Sequence, residues 1–481
     1  MTRTGSVEPG VFATLDSLFA DYALDNHVPG LIFGVVTDER LTYARGIGVR
    51  DLSSKQPVTV NTLFRIASMT KAFTALTVLK LRDEGRVNLD APAELYIPEL
   101  QAWVYPTGDS PRIRVRNLLN HTAGFVSDDP WGDRQTLLPE DEFSKLLREG
   151  VHFARAPGTA SEYTNLGFAL LGRIISNVSG EPFDIIMART LLEPLDMRLS
   201  GFSPSDASME DRATGYRWQD EAWHVEPLIP HGSFAAMGGL YSTAEEYAKW
   251  MAFLLSAWPP RDEHDGGPVC RASVRELAQG ASFPLLRTRS AHPKSTPSDQ
   301  AVSYGMGMVV AVDQELGLTL SHSGGYPGFG SHVLLLPRAG VGLFAFANRT
   351  YARMAAPLWE AALSLRTRGH LADRPQVPSG ALATAYHAVK AMYAQGGAEA
   401  AKDLLAINFL MDRDEAGWAR DLVRLKEQVG ECVLAGPLRP TSALSGEFLW
   451  ICAHGRIAGS LSLAPSRQLG IQQLTLARKS P

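Results

Sequence analysis

Ser68 and Lys71 stand three residues apart in Ser68-Met69-Thr70-Lys71, which puts a hydroxyl and an amine on one face if the segment is helical. A lysine held without its proton could accept the one that Ser68 must lose on attacking a carbonyl, so the pair has the makings of an activated nucleophile. Ser68 is the only serine of the chain placed three positions before a lysine. A second cluster, Tyr163-Thr164-Asn165, follows the turn-forming stretch Pro157-Gly158-Thr159 and offers a phenol and an amide that can reach one cleft. Taken alone, that pair reads more readily as a packed tyrosine ring and an asparagine helix N-cap. A third, His322-Ser323-Gly324-Gly325, ends the alternating run Gly317 to Ser321. Alternation argues a strand, and the glycines admit a close neighbour, although a lone His322 would also suit an ordinary half-buried strand position.

These groups need elements to hold them. Ala72 to Leu79 is apolar on nearly every side, as for a helix through the middle of a domain, and Lys80 to Gly85 supplies charge and a glycine that stop it. Gly30 to Val36, a turn at Thr37 to Arg40, and Leu41 to Gly46 predict a hairpin. Further strands are expected at Tyr304 to Val312, Leu318 to His322, His332 to Leu336 and Val341 to Ala347, with Gly305-Met306-Gly307 packed within the first of them. Ser256 to Ser303, rich in Pro, Ser and charge, reads as a tolerated insertion or a long loop at the cleft edge, the insertion being the safer choice. Leu371 to Gly380 reads as a linker, beyond which helices to about Val429 and short strands near 448–452 and 458–463 suggest a small appendage.

Taken together and in this order, the three clusters resemble the penicillin-recognising serine hydrolase superfamily, in its class C beta-lactamase-like branch of lactamases, D-alanyl-D-alanine carboxypeptidases, D-aminopeptidases and esterases. Phe64 to Ala67, Leu118 to Gly124 and Gly238 to Thr243 are phrases similar to that branch, though as residues they read only as turns and caps. The resemblance implies an α+β fold: an antiparallel sheet flanked by helices with an all-helical subdomain, here followed by the small C-terminal α+β appendage. The expected division is a hydrolase domain over 1–370, a linker over 371–381 and the appendage over 382–481, to which no role is assigned.

By the same resemblance Ser68 is the nucleophile, Lys71 and Tyr163 share the general-acid and general-base work, and Asn165 and His322 bind substrate. The backbone N–H groups of Ser68 and Gly325 form the oxyanion hole, a device whose loss costs about 2.7–4 kcal/mol per donor. His322 stands where many relatives carry lysine. A histidine is mostly neutral at pH 7, so the resemblance points to ester or amide hydrolysis, as by a carboxylesterase or D-amino acid peptidase, over efficient beta-lactam turnover. The alternatives are a beta-lactamase or DD-carboxypeptidase, and a non-catalytic scaffold or sensor that keeps the cleft. Four intact chemical residues weigh against the last.

Composition sets the outer limits. The 481 residues, 45% hydrophobic and 20% charged, suit a soluble protein with a large core and more than one usual domain. A formal charge of −5 and a pI near 6.2 give no footprint for nucleic acid. The expected partner is a small ester, amide or peptide substrate; no cofactor or metal, no nucleic acid and no membrane span are expected, and the oligomeric state is left open. Cys270, Cys432 and Cys452 are sparse, odd in number and form no Cys-x-x-Cys, which argues against a disulfide framework or cysteine metal site. Met1 to Ser6 leads into polar residues, so no signal peptide is expected and a cytoplasmic location is the default. Neither Gly-x-Ser-x-Gly, His-Glu-x-x-His nor a P-loop occurs.

Overall fold

Every residue of the strand Val341–Ala347 is buried, as is every residue of Phe329–Leu336, so both faces of the sheet they belong to are covered. Side chains alternate across a strand, and a continuous apolar run is what two covered faces require. The computed structural model describes residues 9–203, 211–261, 263–282, 284–289 and 297–479. It divides into two compact units, 1–373 and 374–481.

The first unit is built on an eight-stranded sheet: β1 (Gly30–Thr37), β2 (Arg40–Gly48), β3 (Leu285–Arg289), β4 (Ser298–Tyr304), β5 (Val309–Asp313), β6 (Gly317–Tyr326), β7 (Phe329–Leu336) and β8 (Val341–Ala347). Their order across the sheet is β2-β1-β8-β7-β6-β5-β4-β3, and each neighbouring pair is antiparallel. The N-terminal hairpin thus joins the last strand, with Leu31 opposite Ala347 and Thr37 opposite Val341.

The helices that bear on the sheet are α1 (Pro9–Asp25), α2 (Thr70–Asp83), α3 (Asn165–Ser179), α4 (Ala244–Leu255) and α5 (Ala355–Thr367). Leu31, Phe33 and Val35 of β1 and Leu343 and Ala345 of β8 bury against Val11, Leu15 and Phe19 of α1 and Leu358 and Leu365 of α5. The alternate residues, Ile32, Val36, Phe344 and Phe346, join a second cluster with α2, α3 and α4. Each large apolar side chain so buried contributes about 1.5–3 kcal/mol. The second cluster holds α2 in place: eleven of its residues, Lys71 among them, are buried. Gly85 follows α2 at φ +73°, where its N–H caps Arg82, so the helix ends where the charged run and glycine indicate. The regular elements between α2 and α4 are mostly short helices, including Val115–Leu119, Glu140–Glu149 and α3, with a small hairpin of Tyr216–Gln219 and Ala222–Val225. The whole is the α+β arrangement the resemblance implies.

Three expectations need correction. The run from Tyr304 to Val312 is not one strand: β4 ends at Tyr304 and β5 begins at Val309. Gly305 and Gly307 occupy the turn between them, where a Cβ on Gly305 would sit 2.1 Å from Leu277 O and one on Gly307 2.7 Å from Lys71 O. The stretch from Ser256 to Ser303 is more than an insertion, because it supplies the helix Arg271–Glu276 and, at one edge of the sheet, β3 and nearly all of β4; residues 262, 283 and 290–296 of it lie outside the described residues. Sheet pairing stabilises β3 and β4 although their own composition is polar. Cys432 and Cys452 are directly opposed on neighbouring strands and joined in a disulfide. Their 20-residue separation in the chain hid a partnership that only strand pairing creates.

The second unit packs α6 (Gly380–Gln395) and α7 (Glu415–Val429) on a five-stranded antiparallel sheet of β9 (Cys432–Ala435), β10 (Arg439–Pro440), β11 (Ser445–Cys452), β12 (Gly455–Leu463) and β13 (Ile471–Lys479). Strand β11 alternates buried and exposed residues, as a sheet covered on one face should. Phe448 and Trp450 point into a core shared with Tyr386 and Met392 of α6.

Candidate active site

Ser68 sits in a 3₁₀ turn, Ala67–Met69, that runs straight into α2. The turn begins with Ala67 at φ +50°, a left-handed conformation unusual for a residue with a Cβ. Its surroundings hold it there: Ile66 N–H donates to Leu240 O, Ser331 Oγ donates to Ile66 O at 2.8 Å, and Thr70 Oγ1 donates to Ala67 O at 2.7 Å. The serine is 5% exposed, at the floor of a cavity of about 650 Å³.

Lys71 Nζ is fully buried and lies 3.2 Å from Ser68 Oγ, 2.8 Å from Asn165 Oδ1 and 2.8 Å from Met237 O. The last two atoms are carbonyl oxygens and can only accept. As an ammonium Lys71 donates to all three oxygens; as a neutral amine it keeps two N–H bonds for Asn165 and Met237 and turns its lone pair to the Ser68 hydroxyl proton. Burial lowers the Lys71 pKa to about 8, against the pull of the Asp129, Asp133 and Asp128 carboxylates.

Tyr163 and Asn165 arrive together because Thr164 is the N-cap of α3, its Oγ1 accepting from Gly167 N–H at 3.2 Å. Asn165 is thus the first helical residue and not the cap. The Tyr163 ring lies 4.8 Å from Lys71 Nζ, and burial holds its phenol well above the usual tyrosine range, opposed by its interaction with Ser68. Asn165 Nδ2 donates to Asp129 Oδ1 at 3.2 Å, so one amide links the lysine to a carboxylate in the cleft wall.

His322 lines the same cavity, with both ring nitrogens engaged. Nδ1 lies 2.7 Å from Ser323 O, which only accepts, so Nδ1 carries the proton and Nε2 accepts from the Tyr304 hydroxyl at 2.9 Å. Burial, with Lys71 nearby, lowers its pKa to about 3, and the ring stays neutral. Gly324 and Gly325 follow on β6. A Cβ on Gly324 would lie 2.4 Å from Ile66 O, so only glycine lets this strand lie against the Ser68 turn, and a Cβ on Gly325 would meet the Tyr351 ring at 2.7 Å.

All six residues singled out from the sequence, Ser68, Lys71, Tyr163, Asn165, His322 and Gly325, therefore converge: Ser68, Tyr163, His322 and Gly325 line the cavity, and Lys71 and Asn165 stand buried behind them, hydrogen-bonded to each other. Sequence reasoning missed Tyr304, Tyr351 and the carboxylates of Asp129 and Asp133. Asp133 is 2% exposed and accepts from Tyr351 Oη at 2.9 Å; burial and then Asp129 raise its pKa to about 7. The signal available was the acidic run Asp128-Asp129-Pro130-Trp131-Gly132-Asp133, which reads as a solvated loop until the fold turns it toward Lys71. Among the described residues no cluster of side chains has the makings of a metal site, and no helix is long and apolar enough to cross a membrane.

The sequence model of the family described as Beta-lactamase matches residues 15–366. The chain belongs to the Beta-lactamase family. Among curated members of known sequence, Protein flp of Staphylococcus aureus (strain NCTC 8325 / PS 47) is 26% identical over 341 residues, 69% of this chain and 62% of that protein. Beta-lactamase-like protein 2 of Dictyostelium discoideum is 29% identical over 256 residues, 52% of this chain and 46% of that protein. The chain thus spans less than two thirds of the length of either relative. Two solved structures share the family fold. One is an octameric penicillin-binding protein homologue from Pyrococcus abyssi, with a TM-score of 0.62 and 21% identity over 97% of this chain and 99% of that one. The other is a class C beta-lactamase, with a TM-score of 0.59 and 19% identity over 76% of this chain and 98% of that one.

Proposed function

We propose that this chain is a serine acyl-hydrolase that works through an acyl-enzyme at Ser68 on small esters or amides, with weak or no turnover of beta-lactams. The observation that carries the reading is the buried Lys71 Nζ, 3.2 Å from Ser68 Oγ with Asn165 Oδ1 and Met237 O as its other two partners, so that in the neutral form its lone pair faces Ser68. In acylation Ser68 Oγ attacks the substrate carbonyl carbon as its proton passes to Lys71. The carbonyl oxygen, now negative, is held by the backbone N–H groups of Ser68 and Gly325. Tyr163, between Lys71 and the cleft, relays the proton to the leaving alcohol or amine as the C–O or C–N bond breaks. Water then reverses the sequence, with the same groups removing its proton and returning one to Ser68.

The preference for esters and amides rests on His322. A cation there would hold a substrate carboxylate, whereas this ring is neutral and spends its one N–H on Ser323 O. Arg287 and Arg353 also line the cavity, but both are exposed and offer only solvent-screened charge. The test is a fluorophosphonate probe with peptide mapping, followed by rates on short-chain p-nitrophenyl esters, D-amino acid amides and nitrocefin, for wild type and Ser68→Ala. The expected result is one adduct, on Ser68, with esters or amides turned over faster than nitrocefin. Label on another residue of active protein refutes the nucleophile, and a preference for nitrocefin refutes the substrate class.

A further inference from the structure

Tyr163 lies in an extended segment outside any helix or strand, yet acid and base work needs its phenol fixed to within a fraction of an ångström. One residue supplies the fixing contacts on both sides of it. His121, from the Leu118 to Gly124 stretch, accepts the N–H of Glu162 on its carbonyl oxygen at 2.8 Å and the N–H of Thr164 on its ring Nδ1 at 3.2 Å. Its ring also lies against the Tyr163 ring, with centroids 4.5 Å apart. We infer that His121 is a positioning residue: it clamps the chain immediately before and after Tyr163 and sets the height of the phenol over Lys71.

The backbone is bent for this task. His121 is at φ +60°, a left-handed conformation that residues with a Cβ adopt rarely and usually where surrounding structure over-determines them. The chemistry also dictates the state of the ring. A backbone N–H can only donate, so Nδ1 facing Thr164 must carry the lone pair and the proton must sit on Nε2. That Nε2–H is buried with no hydrogen-bond partner among the described residues, in a residue 2% exposed on the wall of the active-site cavity, packed edge-on to Tyr304 with centroids 4.3 Å apart. A second ring proton would set N–H against N–H at Thr164 and break the clamp. Burial, with Lys71 and His322 nearby, keeps the pKa well below the usual histidine range.

The inference rests on the reading that Tyr163 takes part in acyl transfer, and a double-mutant cycle on the full chain separates the two. Kinetics with a p-nitrophenyl ester are compared for wild type, Tyr163→Phe, His121→Ala, His121→Asn and Tyr163→Phe combined with His121→Ala. Tyr163→Phe should lower kcat by roughly 10²–10⁴. His121→Ala should lower kcat at least about tenfold with KM within about twofold, the pattern of lost orientation. His121→Asn should recover most of that loss, since its Oδ1 can accept the Thr164 N–H and asparagine tolerates the left-handed backbone. Once Tyr163 is phenylalanine, His121→Ala should cost no more than about twofold further, because its effect passes through the phenol. Losses that multiply in the double variant, or a wild-type kcat in His121→Ala, overturn the inference while leaving the role of Tyr163 intact. A wild-type kcat in Tyr163→Phe overturns that role and the inference with it. If His121→Ala does not fold, His121→Asn and His121→Gln decide: Asn should exceed Gln in kcat at least several-fold, and equal rates overturn the clamp.

Discussion

Asp129→Asn should move the rising limb of activity against pH downward. Lys71 acts as a base only when neutral, and at a pKa of about 8 roughly a tenth of it is neutral at pH 7, against about 0.03% for a lysine at 10.5. The acidic residues oppose this tuning, Asp129 most strongly. Its carboxylate is no further than about 8 Å from the amine, because a single amide, that of Asn165, touches both at 2.8 and 3.2 Å. At that distance a unit charge contributes about 0.5–2 kcal/mol as the effective dielectric falls from about 80 to 20, or about 0.4–1.5 pH units. Asp129 is exposed, so the lower half of that range applies. The sign follows from the charge: a carboxylate favours the ammonium, its removal lowers the lysine pKa, and the limb falls from about 8 toward about 7–7.5. An asparagine Oδ1 still accepts from Asn165 Nδ2, so orientation is retained. The assay is kcat/KM for a p-nitrophenyl ester across about pH 6–10, at low and at high salt. Activity at pH 6.5 should rise severalfold with the plateau unchanged, and the displacement should shrink in salt. A limb that stays in place or moves upward refutes the electrostatic account of Lys71.

Neighbouring glycines should behave differently. Gly324→Ala forces a Cβ to 2.4 Å from the fixed carbonyl of Ile66 and 2.1 Å from Ser331 Oγ, so it should lower stability by about 1–3 kcal/mol and cut Ser68 labelling sharply. Gly325→Ala meets the Tyr351 ring, a 42% exposed side chain tethered through its hydroxyl to Asp133 and not a fixed backbone atom, so thermal melts should place it closer to wild type than Gly324→Ala; equal effects would contradict the packing described. His322→Lys should raise the ratio of nitrocefin to ester turnover and, by adding a cation near Lys71, shift the pH limb down; an unchanged ratio removes His322 from the account of specificity. A chain ended at Asp373 retains the core and every proposed site residue, so after circular dichroism confirms its fold it should label at Ser68 at the full-length rate. Folded protein that fails to label would bring the C-terminal unit into the chemistry.

What the residues disclosed in advance was local or patterned. Ser68 and Lys71 meet because helical turns bring positions three apart together, and Val341 to Ala347 announces itself as a strand because its apolar run has no polar face to spare. Contacts made across the sheet left no such trace. Tyr304 reaches His322 because β4 and β6 flank β5, Tyr351 reaches Asp133 over a separation of 218 residues, and Cys432 meets Cys452 only through strand pairing. Polar β3 and β4 form because a sheet edge is there to be extended, a tertiary effect that overrides propensity.

The same division runs through the chemistry. Spacing alone brings an amine to a hydroxyl, which is compatible with a protonated lysine that merely donates to Ser68 and could never be its base. The balance between ammonium and amine is set by groups far away in the chain: burial in the packing around α2 penalises the charge, while the carboxylates of Asp129, Asp133 and Asp128 favour it. Asn165 Oδ1 and Met237 O accept two hydrogens in either form and leave the third to pass between Lys71 and Ser68, while the nearby carboxylates keep the pKa from falling so low that the lysine could no longer hold the proton it takes. A base has to accept and then release, and a pKa near neutrality is the condition for doing both.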